Sequence, residues 1–160
     1  MKKIYLAISL VICLASAPLT TYAQAKKAKS AAVTMNETQK EKQQFAYGFY
    51  KTYMNSLIYP QLSDLSTVIA KKFVSPKVLK KTADTGGDVL LDAQDCIEEN
   101  VRTLQVVPIN NDWFCVAFMW TSTYDKIPSQ KKVIYIKVKQ QGNSFIIEDA
   151  TSEKPKLTKI

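Results

Sequence analysis

Between Asp112 and Thr121 the chain reads DWFCVAFMWT, eight apolar residues in unbroken succession between an aspartate and a threonine. A short apolar run rich in aromatic side chains reads as a strand buried on both faces. Alternate residues of a strand point to opposite sides. Trp113, Cys115, Ala117 and Met119 therefore share one face, and Phe114, Val116, Phe118 and Trp120 the other. Downstream, Lys132 to Lys139 alternates cleanly, with Ile134, Ile136 and Val138 facing one way and Val133, Tyr135, Lys137 and Lys139 the other. Gln141-Gly142-Asn143 is a hairpin turn and Ser144 to Ala150 a last strand. Upstream, Pro108 to Asn111 is a turn, preceded by an alternating stretch from Val101 to Val107 that predicts a first strand.

The first half has a different period. Asn36-Glu37-Thr38-Gln39 resembles a helix N-cap with a glutamine at the third helical position. Behind it Phe45, Phe49, Tyr53 and Leu57 recur every four residues, predicting the buried stripe of a helix that ends near Tyr59-Pro60. Leu62 to Phe73 reads as a second helix. Ser75-Pro76 opens a short third one that breaks at Thr85-Gly86-Gly87. Helices followed by an antiparallel meander predict an α+β domain over residues 36–152, with the N-terminal helices packed on one face of a curved sheet. Only one face of the DWFCVAFMWT strand can meet those helices. The other must line a pocket, be covered by the chain's own ends, or meet a partner.

The ends have their own character. Residues 1–23 combine Lys2-Lys3, an apolar run from Ile4 to Pro18 and small residues before a cleavage point at Ala23 or Ala25, which predicts a secretory signal peptide. Cys13 follows Ile12, which does not fit the small residue that a lipid-anchoring motif places there. Residues 24–35 read as a flexible basic tether and 153–160 as a basic tail. The formal charge of +8 resides mostly in these ends. From Glu41 to Ala150 there are 13 Lys and Arg against 12 Asp and Glu, a net of +1. A neutral body with Arg102 as its one arginine argues against nucleic acid as a partner. With no histidine in the chain, His-based triads, Cys/His dyads and most zinc sites are excluded. The expectation is a protein with no cofactor, no metal and no stable membrane anchor.

Gly86 to Glu99, GGDVLLDAQDCIEE, sets five carboxylates and a cysteine behind a double glycine. Drawn as a helix, Asp88, Asp92, Asp95 and Glu99 fall within about 60°, opposite Leu90, Ala93, Ile97 and Val101. This predicts a surface helix with a solvated acidic face, Asp88 capping its start. The spacing is not that of a calcium loop. Cys96 and Cys115 are the cysteines left after processing. A disulfide between them and two separate packed thiols both fit an exported protein. Thiol catalysis lacks a base.

Three stretches carry a family likeness: FYKTYM (Phe49–Met54), D-x-x-x-D-A-Q-D (Asp88–Asp95) and NDWFCVAF (Asn111–Phe118). Over roughly residues 39 to 150 the chain resembles a family of small secreted bacterial proteins grouped as a domain of unknown function. The resemblance implies the nuclear-transport-factor-2-like, or cystatin-like, cone, in which a long first helix lies across a curved sheet and encloses a pocket. It also implies a structural role for Asp88, Gln94 and Asp95, and it carries no reaction with it. If the helix closes over the sheet, Tyr50, Tyr53, Trp113 and Tyr135 are expected to line a ligand cavity. No catalytic residue is assigned. The expected function is an exported, soluble, non-catalytic binding protein of the envelope, periplasmic or secreted, recognising a protein partner, in one version as an immunity-type protein, or a small apolar ligand. One alternative is a small enzyme pairing an Asp base with a Tyr donor in the cone, Asp112 and Asp149 lying nearest the apolar runs. The other is a structural domain that forms a homodimer.

Overall fold

The computed structural model describes residues 35–93, 95–121 and 128–156, all within the compact unit Thr34–Ile160. The expected signal peptide, nearly all of the tether, Gln94 and residues 157–160 of the tail lie outside the described residues.

Helix α1 runs from Glu37 to Ile58, and the Asn36 side chain caps it by accepting the Gln39 amide at 2.7 Å. It stops at Tyr59, whose extended backbone is what a residue before proline adopts. Its buried side holds Ala46, Phe49, Tyr50, Tyr53 and Met54, whereas Leu57 is 42% exposed. A four-residue repeat drifts about 40° per step on a helix of 3.6 residues per turn, so the last member of the expected stripe has rotated out of the core. After a 3-10 turn at Pro60–Leu62 come α2 (Ser63–Phe73) and α3 (Pro76–Thr85). Ser75 caps α3 through the Val78 amide and donates its hydroxyl proton to the Glu148 carbonyl at 2.9 Å. Val74 beside it pairs in parallel with Ile147, so the α2–α3 junction is stitched to the last strand. Gly86 closes α3 at φ +65°, a left-handed position that favours glycine.

The expected acidic helix does not form. Asp88 is followed by a turn in which its carbonyl accepts the amides of Leu91 and Asp92, and the chain reverses at Asp92, φ 51°. The reason lies in Leu90 and Leu91, each 2% exposed: both neighbours enter the core, leaving no continuous acidic face. Helix returns only as α4 (Glu98–Arg102), which takes residues expected in the first strand. That strand shrinks to β1 (Gln105–Pro108). Asn100, fully buried, decides this: its Oδ1 accepts the Ile97 amide at 2.6 Å and its Nδ2 donates to the Met119 carbonyl at 2.5 Å.

Strands β2 (Trp113–Trp120), β3 (Gln130–Gln141) and β4 (Ser144–Thr151) complete an antiparallel sheet of order β1-β2-β3-β4. Phe114 opposes Ile136 and Val116 opposes Ile134, all fully buried beneath α1 with Val138, Ile147 and Ala150. The register shifts at Lys137/Val138, where β4 bulges. Helices segregated to one face of an antiparallel sheet make this an α+β fold, as the sequence periods predict.

Candidate functional site

The four aromatic residues expected to share a cavity are divided by the sheet. Tyr50 and Tyr53 lie on the buried side of α1, 0% and 9% exposed. Trp113 and Tyr135 occupy odd-numbered positions of β2 and β3, opposite the core-facing Phe114 and Ile136, and point away from the helices. On the buried side of α1, Phe49 stacks on Tyr53 at 5.6 Å and meets Tyr50 edge-on at the same separation. The Tyr50 hydroxyl has no hydrogen-bond partner among the described residues, and its pKa is raised by burial first and then by the charges of Asp88 and Tyr53.

The carboxylate that turns inward is Asp88, not the acids nearest the apolar runs. Asp112 pairs with Lys42 at 2.5 Å and Asp149 with Lys77 at 2.6 Å. Asp95 accepts the Trp120 indole proton at 2.7 Å and anchors its loop to β2. Asp88 accepts the Tyr53 hydroxyl at 2.8 Å on one oxygen and the Leu90 amide at 2.9 Å on the other. Burial pushes its pKa up despite the donors, which act the opposite way. The Tyr53 pKa is raised by burial, then by the charge of Asp88 and the hydrogen bond to it. A buried carboxylate facing a phenol is the pairing that acid–base chemistry asks for, and clefts holding such shifted groups are where sites concentrate. Its signal in the sequence was the apolar trio Val89-Leu90-Leu91 directly after the aspartate, which drags Asp88 under the surface.

Tyr53 and Leu90 floor a cleft of about 280 Å³ between α2 and α3, with Ala70 and Leu79 as its apolar walls. That is at the small end of ligand pockets, which run from roughly 300 Å³ upward.

Cys96 and Cys115 are free thiols, the second of the two arrangements that the sequence leaves open. Cys96 packs against the core on the helical side, while Cys115 lies on the far face of β2, opposite Tyr135 and Val107. Burial, helped by the charge of Asp95, pushes the Cys96 thiol up to about 12, and burial also raises Cys115 against the pull of Lys131. Among the described residues no group of three or more Cys, Asp or Glu side chains converges as a metal site would require.

The far face of the sheet is apolar in its middle rows and charged in its end rows, where Lys137 opposes Trp113 and Lys131 opposes Met119. Cys115 and Tyr135 form one cross-strand row and Ala117 and Val133 the next, with Trp113 and Met119 at the two ends of β2. Val107 at the edge is 53% exposed and Ala117 is buried among its neighbours. At the rim Lys137 and Lys139 bond Glu148 at 2.7 and 3.2 Å, which lowers the Glu148 pKa.

No protein-family model matches the chain, and no curated protein matches it either. Among solved structures it is similar to a protein of unknown function from Bacteroides thetaiotaomicron VPI-5482, with 24% identity, a TM-score of 0.60, and coverage of 71% of this chain and 90% of that one. At that identity the likeness speaks for the fold alone. No described helix is long and apolar enough to cross a membrane.

Proposed function

We propose that this chain is an exported, non-catalytic binding domain of the cell envelope that recognises a protein partner through the far face of its sheet. One observation carries the reading: the half-exposed row of Trp113, Cys115, Met119, Val133 and Tyr135, which lies on the side away from the helical core. Apolar side chains gathered on one exposed face, with charged residues at the rim, are the composition of an interaction surface. The packing of Phe49 on Tyr50 and Tyr53 along the buried side of α1 supports the same reading over a cone-shaped active site. Export rests on the N-terminal sequence pattern.

A photo-crosslinking residue placed at position 133 in living cells tests the surface. A discrete protein adduct is expected from position 133 and not from position 68, an exposed valine on α2, and it should vanish when Trp113→Lys is added. Equal labelling from both positions, or none from 133, sinks the proposal. Export is read from the mature protein: release by osmotic shock with Gln24 or Lys26 as first residue is expected, and retention of Met1 contradicts it.

The enzyme alternative has one specific observation in its favour, the Tyr53–Asp88 pair beside the cleft. In this pair the phenol already donates to the carboxylate, so the Tyr53 proton is committed to Asp88 rather than to a substrate. Asp88 and Tyr53 are therefore read as a fixed polar floor rather than as a base and an acid.

A further inference from the structure

The cleft between α2 and α3 holds polar groups that the fold leaves unspent. The Lys71 ammonium and the hydroxyls of Thr67 and Thr82 line it without a hydrogen bond or ion pair to any described residue. Depth orders the lining by chemistry. Most deeply buried are the residues Tyr53 and Leu90, 9% and 2% exposed; Ala70 and Leu79 are half-buried, and Lys71 and Thr67 are exposed. Tyr53 spends its proton on Asp88, so toward a ligand its oxygen can only accept, and the charge of Asp88 makes it a stronger acceptor.

We propose that this cleft is a binding site for a small amphiphilic carboxylate: an acid head at Lys71, Thr67 and Thr82, an apolar body over Ala70, Leu79 and Leu90, and a hydrogen-bond donor at the far end meeting the Tyr53 oxygen. Each end excludes an alternative. A cationic head meets the Lys71 ammonium with like charge. A ligand without a distal donor leaves the Tyr53 oxygen unpaired once water is expelled, which is the costly way to fill a polar pocket. The volume of about 280 Å³ suits a phenolic or similar hydroxylated acid of small size. The site is on the helical side of the molecule and stands or falls independently of the far sheet face.

The test is an NMR titration of the full chain with para-hydroxyphenylpropionate, compared with phenylpropionate, which lacks the distal donor, and tyramine, which lacks the acid. For a probe of about a dozen non-hydrogen atoms a Kd of order 1 mM is expected, with amide shifts confined to residues 66–71, 79–82 and 90. Phenylpropionate should bind about tenfold more weakly, and tyramine should produce no saturable shift. Lys71→Gln, an exposed change that leaves the spectrum of the free protein intact, should weaken the phenolic acid by about tenfold. Absence of saturable shifts with the phenolic acid, shifts on β2 and β3 instead, or undiminished affinity in Lys71→Gln overturns the site. Equal affinity for phenylpropionate overturns the role of Tyr53.

Discussion

At the scale of single residues the buried pair under α1 is the part of the molecule where charge and burial oppose each other most directly. Asp88 has a higher pKa in the folded chain than its ordinary 3.8, because burial outweighs its donors. Between 3.8 and that raised value the folded state holds a proton that the unfolded state has released, so folding takes up a proton and stability falls as pH rises through the window. Asp88→Asn removes the titration. Its stability relative to the natural chain is expected to improve as pH rises above about 4 and to level off once the folded chain has also released the proton, read from urea midpoints at each pH; a difference that stays flat throughout refutes the assignment. Tyr50 poses the simpler case of a fully buried hydroxyl with no partner. Tyr50→Phe keeps the ring and removes the unpaired group, so a gain of about 1 kcal/mol is expected in denaturant unfolding. A loss of that size would show that the hydroxyl is bonded in solution. The one sequence signal for Asp88, the apolar trio behind it, fits the buried side of a helix equally well, and nothing in FYKTYM separates the tyrosine that is satisfied from the one that is not.

At the scale of elements, local signals placed the boundaries wherever the chain itself supplied the stop. Asn36, Pro60, Ser75-Pro76 and Gly86 each mark a helix end through backbone chemistry within a residue or two, and those ends stand where the sequence puts them. The segment from Asp88 to Leu104 failed because its conformation is set from outside. Asn100 reaches across to the Met119 carbonyl, Thr103 accepts the Met119 amide at 3.0 Å and Trp120 holds Asp95. These contacts span 16 to 25 residues and have no periodic trace. Asn100→Ala leaves the Ile97 amide and the Met119 carbonyl without their partner, and a loss of about 2–4 kcal/mol is expected. Hydrogen exchange should accelerate at Ile97 and across α4. If only the global stability changes and that amide stays protected, Asn100 is not the clasp.

For the whole molecule, the two faces of the sheet should answer differently to the same insult. Ile134→Ala, on the helical face, opens a cavity in a fully buried stack and is expected to cost about 2–5 kcal/mol. Trp113→Lys with Val133→Lys, on the far face, should leave the unfolding midpoint within about 1 kcal/mol of the natural chain. A collapse of the double variant would mean that the far face belongs to the protein's own core, and the partner-surface proposal would fall with it. The α+β class and the existence of a second apolar face followed from period alone. Which aromatics stand together did not: Tyr53 ended beside Asp88 and a cleft, and Trp113 and Tyr135 on the other side of the sheet.

By itself the sequence determined the class of fold, the first three helices, the hairpin of the last two strands and the two-sided apolar character of Trp113 to Trp120. Those features depend on caps, breakers and side-chain period, which act between neighbours along the chain. Only the tertiary structure decided that Asp88 to Asp92 is a turn rather than the start of a helix, that Asp88 goes inward, and that Lys71, Thr67 and Thr82 line one cleft with Tyr53. Those outcomes depend on which groups meet across long separations in sequence, where burial and the need to pair each buried polar group override local preference.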